Sequence, residues 1–416
     1  MFGVSLVLTA GLVACGAARA QPASSSGEPP LGATVDGLRA AGRELNPALR
    51  AAALDTTAAS AQALGADALD DPTITDSYQY YKDPGVYSAH MVVLSQSFPL
   101  WGKRSLRSEA ALAEVDAARG REQAARDETD EKIKVAYAQY YLIVQNLAVN
   151  RKLADLARRM RAAAAARYGQ GGGDQTAVIL ALGEGTSAKT EAVRLQGEVR
   201  AAAARVNILV GRPVEAALAE PLRARPMPAV EPVLAGLVDR ARAANPTLSA
   251  GHAEIAAARM RSTLADKAWY PDVTVGAGPL IQTNNRPVGF AATVGLNIPL
   301  PWGREASGQQ QAQAQLGASQ QRYDAALLDI EGTLGEATAR LHAARETEAL
   351  LRRESMSQAN AAFRATLAGY SQGKGELTTA IAAERQVQDV ELRLLQAQLD
   401  EQVELAAIEH LIGGDL

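Results

Sequence analysis

Apolar positions along this chain follow two periods, and the change from one to the other occurs twice. Ile133, Tyr137, Tyr140, Val144 and Leu147 step by 4, 3, 4 and 3, and Leu327, Ile330, Leu334, Ala337, Leu341 and Ala344 step by 3, 4, 3, 4 and 3. That is the spacing of helices that pair along a seam. Phe290, Ala292, Val294, Leu296 and Ile298 instead alternate with Gly289, Ala291, Thr293, Gly295 and Asn297. A period of 2 predicts a strand with one apolar face and one small or polar face. Its expected partner is Asp272 to Gly278, across a turn-rich loop from Pro279 to Val288. An earlier pair is expected at Thr73 to Tyr81 and Tyr87 to Phe98, joined by Lys82-Asp83-Pro84-Gly85. There His90, Gln96 and the run Val92-Val93-Leu94 blur the alternation, and the assignment rests on position.

Proline marks where helices can run. The chain has 18 prolines, none between Trp101 and Arg212 and none between Trp302 and Leu416. Interior proline removes a helical hydrogen bond and clashes with the preceding turn, so these are the helical stretches. From Trp101 to Arg167 such a helix spans roughly 100 Å at about 1.5 Å per residue. The clusters Gly169-Gln170-Gly171-Gly172-Gly173 and Gly373-Lys374-Gly375 break each stretch into a hairpin, whose return helix ends near Gly211 or Gly413.

The landmarks repeat. Asn46-Pro47 recurs as Asn245-Pro246, 199 residues on; Trp101-Gly102 recurs as Trp302-Gly303, 201 on; Tyr168 recurs as Tyr370 and Gly211 as Gly413, both 202 on. Four pairs in one order at nearly one spacing predict an internal duplication. The expected organisation is a signal segment at 1–20 (1–14 if Cys15 is lipidated), repeat 1 at 21–212 and a proline-rich linker at 213–232. Repeat 2 follows at 233–416. Strand pairs are expected at about 73–98 and 272–299, and hairpins at about 101–211 and 303–412.

The apolar stretch Phe2 to Ala14 is too short to span a bilayer and reads as the core of an export signal. No positive charge precedes it, so the natural start is expected a few codons upstream. Ala18-Arg19-Ala20 fits an ordinary cleavage site, while Leu12-Val13-Ala14-Cys15 fits a lipobox that would lipidate the sole cysteine; both readings stand. One thiol forms no internal disulfide. Lys plus Arg is 42 against 46 for Asp plus Glu, a net charge of -4, which leaves no broad footprint for nucleic acid. His90, His252, His342 and His410 lie in no metal-ligand spacing, and no nucleophile motif or phosphate loop is present. No enzymatic activity, cofactor or resident metal is expected.

Strands of 9 to 11 residues with one apolar face suit an outer-membrane barrel. Four strands cannot close a barrel, and an open sheet edge in lipid leaves backbone groups unsatisfied. Several chains must then share one barrel. Eight strands, from a dimer, give a packed interior; twelve, from a trimer, leave a lumen. The alternative is a soluble sheet packed on helices, in a non-conducting periplasmic coiled-coil adaptor or spacer.

Strand pair, Pro-Leu-Trp-Gly entry, long helix, Tyr-x-x-Gly tip and return helix, all doubled, resemble the TolC-like outer-membrane factors of tripartite efflux pumps over essentially the whole mature chain. The resemblance implies a mixed α and β membrane protein. It would be a homotrimer with a twelve-stranded β-barrel continuous with a coiled-coil tunnel, in the outer membrane of a Gram-negative bacterium with its helices in the periplasm. It implies a periplasmic adaptor (membrane fusion) protein and an inner-membrane pump, of the RND type, as partners. Phe98-Pro99-Leu100-Trp101-Gly102-Lys103-Arg104 resembles most the cobalt-zinc-cadmium branch, which implies metal cations as cargo; drugs or type I secreted polypeptides are the alternative cargoes.

Carried onto this sequence, the resemblance assigns Tyr168, Gly171, Tyr370 and Gly373 to the adaptor-docking periplasmic tip, although glycine in a hairpin turn has a purely structural reading. Trp101, Gly102, Trp302 and Gly303 form the barrel-to-helix junction, the tryptophans as an interfacial belt or as packing at a bend. Relatives ring the closed tip with aspartates. Here the stretch after Tyr370 has one carboxylate, Glu376, and the first repeat has Asp174 alone, so the inherited ring is incomplete. Asp174, Glu184, Glu376 and Glu384 are the nearest gate candidates, with solvated surface carboxylates as the plain alternative.

Overall fold

The computed structural model describes residues 31–80, 88–171, 175–220, 222–282, 287–300 and 302–416. The expected signal segment, Cys15, the turn at 82–85 and Asp174 lie outside the described residues. Two short helices open the described chain, α1 (Val35–Leu45) and α2 (Pro47–Gly65), followed by strands β1 (Thr73–Gln79) and β2 (Ala89–Phe98). The first hairpin is α3 (Lys103–Gly169) and α4 (Gln175–Val210). After the linker the order repeats: α5 (Leu234–Ala244), α6 (Pro246–Asp266), β3 (Asp272–Gln282), β4 (Gly289–Asn297), then α7 (Arg304–Leu350), a π-turn at Leu351–Ser355, α8 (Met356–Ser371) and the return helix α9 (Leu377–Leu411).

The 67 residues of α3 give a rod of roughly 100 Å, the length that proline exclusion predicted. Its seam is the predicted one: Ile133, Tyr137, Tyr140 and Leu147 are buried. Two cores of matching make-up hold the hairpins. In one, Leu38, Ile133, Ala136, Tyr140, Val206 and Val210 pack together; in the other, Leu237, Leu334, Ala337, Leu341, Ile408 and Ile412 do.

Helices α1, α2, α5 and α6 were not predicted, yet the Asn-Pro landmarks are their joints. Asn46 caps α2 by accepting from Ala48 N–H at 2.8 Å, with Pro47 at the first helical position, where its missing N–H costs nothing. Its Nδ2 donates to Leu209 O at 2.7 Å, and Asn245 Nδ2 donates likewise to Leu411 O at 2.8 Å. Each asparagine thus ties the start of one helix to the end of the return helix. The glycines there have no substitute: Gly211 and Gly413 sit at φ of 85° and 71°, and a Cβ on Gly413 would lie 2.5 Å from Ala244 O. The Asn-Pro and Leu-x-Gly landmarks recur together because they touch each other.

The strands form one antiparallel sheet in the order β1-β2-β3-β4, so the two pairs join edge to edge through β2 and β3. Strand β3 is longer than predicted. It runs through Pro279 to Gln282, residues expected in the loop, because β4 continues opposite them with Phe290 facing Pro279 and Gly289 facing Leu280. Proline lacks the N–H for a ladder on its other side, and the β2–β3 pairing skips there, resuming at Leu94 opposite Ala277. Gly278 admits the backbone of β2 at this gap: a Cβ would lie 1.8 Å from Val92 O.

Candidate conduit and its two ends

Register sorts the sheet into two faces that the sequence of β2 had blurred. Ile74, Leu94, Ala277 and Ala292 lie in one row, Gln96, Val275 and Val294 in the next, and Phe98, Val273 and Leu296 in a third. All these belong to the same face, and Ile74, Leu94, Phe98, Val275, Phe290, Val294 and Leu296 are exposed on it. The opposite face carries Thr73, Thr75, Ser95, Ser97, Thr274, Thr293 and Asn297. The polar intruders on the apolar face are partnered. His90 stands 3.5 Å from Asp76 and stacks at 4.6 Å against Tyr78, and Gln96 donates to Asp70 O at 2.7 Å. An exposed apolar face opposite a hydroxyl-rich one is the pattern of a sheet between lipid and water.

The two strand-to-helix junctions differ. Gly102 and Gly303, at φ of 75° and 95°, precede α3 and α7 as their N-cap residues, and Trp101 itself takes φ of 62°. At the first junction Trp101 Nε1 donates to Pro271 O at 2.8 Å, with its ring 5.3 Å from Tyr270. Lys103 is buried there, donating to both oxygens of Asp272 at 2.9 Å and to Tyr270 O at 2.8 Å. The second junction has no such mate among the described residues, and Trp302 is 85% exposed.

At the far end of the hairpins the two tips pack on each other through Met160, Ala164 and Ala181 of the first and Tyr370, Leu377, Ala380 and Ile381 of the second. The paired tyrosines are not equivalent: Tyr168 is half exposed, whereas Tyr370 is buried. Arg167 lies over the Tyr370 ring at 5.0 Å and donates to its carbonyl at 2.7 Å. Gly171 and Gly373 take φ of 77° and 76° to turn the tips. Of the described gate candidates, the structure brings two together. Glu184 of α4 pairs with Arg385 of α9, beside Glu384. Burial first, and the Glu184 charge second, push the Glu384 carboxyl up to about 7. Glu376 instead precedes α9, its carbonyl accepting from Thr379 Oγ1 at 2.7 Å and its Oε2 from Thr378 at 3.0 Å.

Sequence reading missed the charged girdle midway along the hairpins, where the two halves of the chain are tied. Lys134 of α3 reaches Glu409 at 2.8 Å and Asp415 at 2.6 Å, and Arg225 of the linker also binds Glu409. Arg39 bridges Asp130 and Asp415, each at 2.9 Å. Burial opposes the charge on Asp415, but hydrogen bonds from Lys134 and Arg39 hold its carboxyl down to about 2. The signal was Lys134, a lysine directly beside the seam residue Ile133, where a charge needs a buried partner.

This architecture is that of the outer-membrane channels. VceC of Vibrio cholerae superposes with a TM-score of 0.77 at 20% identity, covering 92% of this chain and 96% of that one. CusC superposes at 0.78 with 18% identity over 92% of both chains, and the open state of MtrE of Neisseria gonorrhoeae at 0.74 with 19% identity over 92% and 89%. Residues 237–414 match the family model described as Outer membrane efflux protein. None of the curated protein sequences matches the chain. Over 92% of its length the chain thus has the fold of these channels, and its second half carries the sequence pattern of the outer-membrane efflux proteins.

Proposed function

We propose that this chain is one third of a trimeric outer-membrane exit duct of a tripartite efflux system. The observation that carries the reading is a two-faced, four-stranded sheet whose outer strands β1 and β4 each pair on one side only among the described residues. Lipid would cover the apolar face, and the edges would close against those of neighbouring copies. The internal repeat supports three copies: six strand pairs supply twelve strands, enough for a lumen. The helices would continue the barrel through the periplasm as a coiled-coil tunnel, with an adaptor protein at Tyr168, Gly171, Tyr370 and Gly373 and an inner-membrane pump of the RND type supplying the energy. The duct itself is passive. Metal cations are its cargo on the strength of the Phe98 to Arg104 entry motif. The matched channels, VceC, CusC and MtrE, share the fold that this reading needs.

The test is single-channel recording on the purified protein in planar bilayers, with its oligomer sized by heat-modifiable gel mobility. Stepwise conductance from a trimer is expected; a soluble, non-conducting monomer would overturn the reading in favour of a periplasmic coiled-coil protein. For cargo, a deletion strain should lose tolerance to zinc, cadmium or cobalt. Loss of drug tolerance alone would replace metal cations with organic substrates.

A further inference from the structure

Between α3, the linker and α9 lies a cavity of about 370 Å³ beneath the end of α7. That volume is the lower range of small-molecule sites. Its apolar wall includes Tyr137, Tyr141, Leu142, Leu395 and Leu399. The charges on its floor are unevenly matched. Lys134 and Arg225 are held by Glu409 and Asp415. Glu348 accepts from Gln398 at 3.0 Å and pairs with Arg352. Two hydrogen-bonding atoms are left over: Nη1 of Arg225 and Oε1 of Glu401 are buried with no partner among the described residues, and Glu401 is only 5% exposed. A buried polar atom with its hydrogen bond unmade loses its hydration without replacement, so both want an occupant. Glu409 already offsets Arg225, and Glu348 is paired with Arg352, so Glu401 is the lining charge that has no ion-pair partner among the described residues. Burial first, then Glu348, raises the Glu401 carboxyl above its ordinary range, against the opposing charges of Arg345 and Arg352. The π-turn at Leu351–Ser355 follows directly on the helical turn bearing Glu348, and π-turns gather at functional sites.

We propose that this cavity binds a protonated organic amine with an apolar body, its ammonium on Glu401 and a hydrogen-bond acceptor on Arg225 Nη1. The site lies in the wall, between the two hairpins, and does not depend on what the duct conducts. An occupant there ties α3 of the first hairpin to α9 of the second.

The probe is quinine, a fluorescent amine with an aromatic body, titrated into the purified full-length protein in detergent, with anilinonaphthalene sulfonate as an apolar anion of similar size. Saturable binding of one quinine per chain is expected, at least tenfold weaker in Glu401→Gln and not displaced by the anion. Glu401→Gln keeps the side-chain shape and removes a buried charge. Ala224→Trp, at an exposed linker residue lining the cavity, should block binding by filling space, and carries the test alone should the first variant misfold. Unsaturable binding, equal binding by the anion, or wild-type affinity in either folded variant overturns the site.

Discussion

Single carboxylates in this chain do different work according to what surrounds them. Glu409 is 2% exposed and serves Lys134, Arg225 and the Leu416 N–H together. Its replacement by Gln leaves Arg225 without its charge partner and Lys134 with Asp415 alone, and removing one partner of a buried pair costs about 3–5 kcal/mol. Glu409→Gln should therefore lower the heat-denaturation midpoint of the purified protein clearly, whereas Glu376→Gln, at an exposed position, should leave it in place. Glu384 works in the other direction. Its folded-state carboxyl is raised to about 7 from 4.5, so the folded tip holds a proton that the unfolded chain releases. Stability from this group is full at low pH and falls as pH rises from about 4.5 through about 7. Hydrogen exchange in residues 377–390, corrected for intrinsic rate, should be slower at pH 5.5 than at pH 8, and Glu384→Gln should abolish most of the difference. An unchanged pH effect in that variant would remove Glu384 as its source. None of this was readable beforehand: the sequence marks Glu184 and Glu384 as carboxylates near a tip, but only the packing of α4 on α9 brings them together beside Arg385.

At the scale of elements, patterns that depend on local chemistry were legible and those that depend on a neighbour were not. The seam from Ile133 to Leu147, the strand from Phe290 to Leu296 and the hairpin glycines follow from periodicity and backbone conformation alone. Strand β2 did not, since His90 and Gln96 sit on the apolar face and are tolerated because Asp76, Tyr78 and the Asp70 carbonyl meet them across the register. Strand β3 outran its expected end because cross-strand pairing with β4 carried it through Pro279. Helices α2 and α6 escaped notice because their apolar residues are mostly alanine, which gives little periodic signal, although their Asn-Pro starts were visible as landmarks. Those joints are testable. Asn245→Ala removes the cap of α6 and the bond to Leu411 O, for an expected loss of about 1–2 kcal/mol. Gly413→Ala should cost at least as much, since the added Cβ meets Ala244 O in a backbone conformation that disfavours side chains. Denaturant midpoints of the two variants give the comparison; a neutral Gly413→Ala would contradict the close approach described here.

For the whole molecule, the contacts within one chain are a template for those the proposed trimer needs between chains. Helix α6 packs on both α3 and α7, while α2, its counterpart, packs on α3 and leaves Leu54 and Leu64 exposed. The junctions show the same incompleteness: Lys103 grips Asp272 inside the chain, and the residues in the corresponding places are Arg304 and Asp71, 201 residues from each. In a closed ring Arg304 should meet the partner's Asp71, and Trp302 should lose part of its exposure there, as Trp101, 52% exposed, does beside Tyr270. The strands carry the same rule. Ser97 faces Thr274 between β2 and β3, so Asn297 of β4 should face the partner's Thr73 of β1. Arg304→Glu should weaken the proposed trimer on heated gels, and adding Asp71→Lys should restore it, which a merely local role for either residue would not produce. Oxidation of a Thr73→Cys, Asn297→Cys double variant should give covalent trimers through a ladder of dimers. A ladder that stops at dimers would limit the barrel to eight strands and leave it a packed interior rather than a lumen.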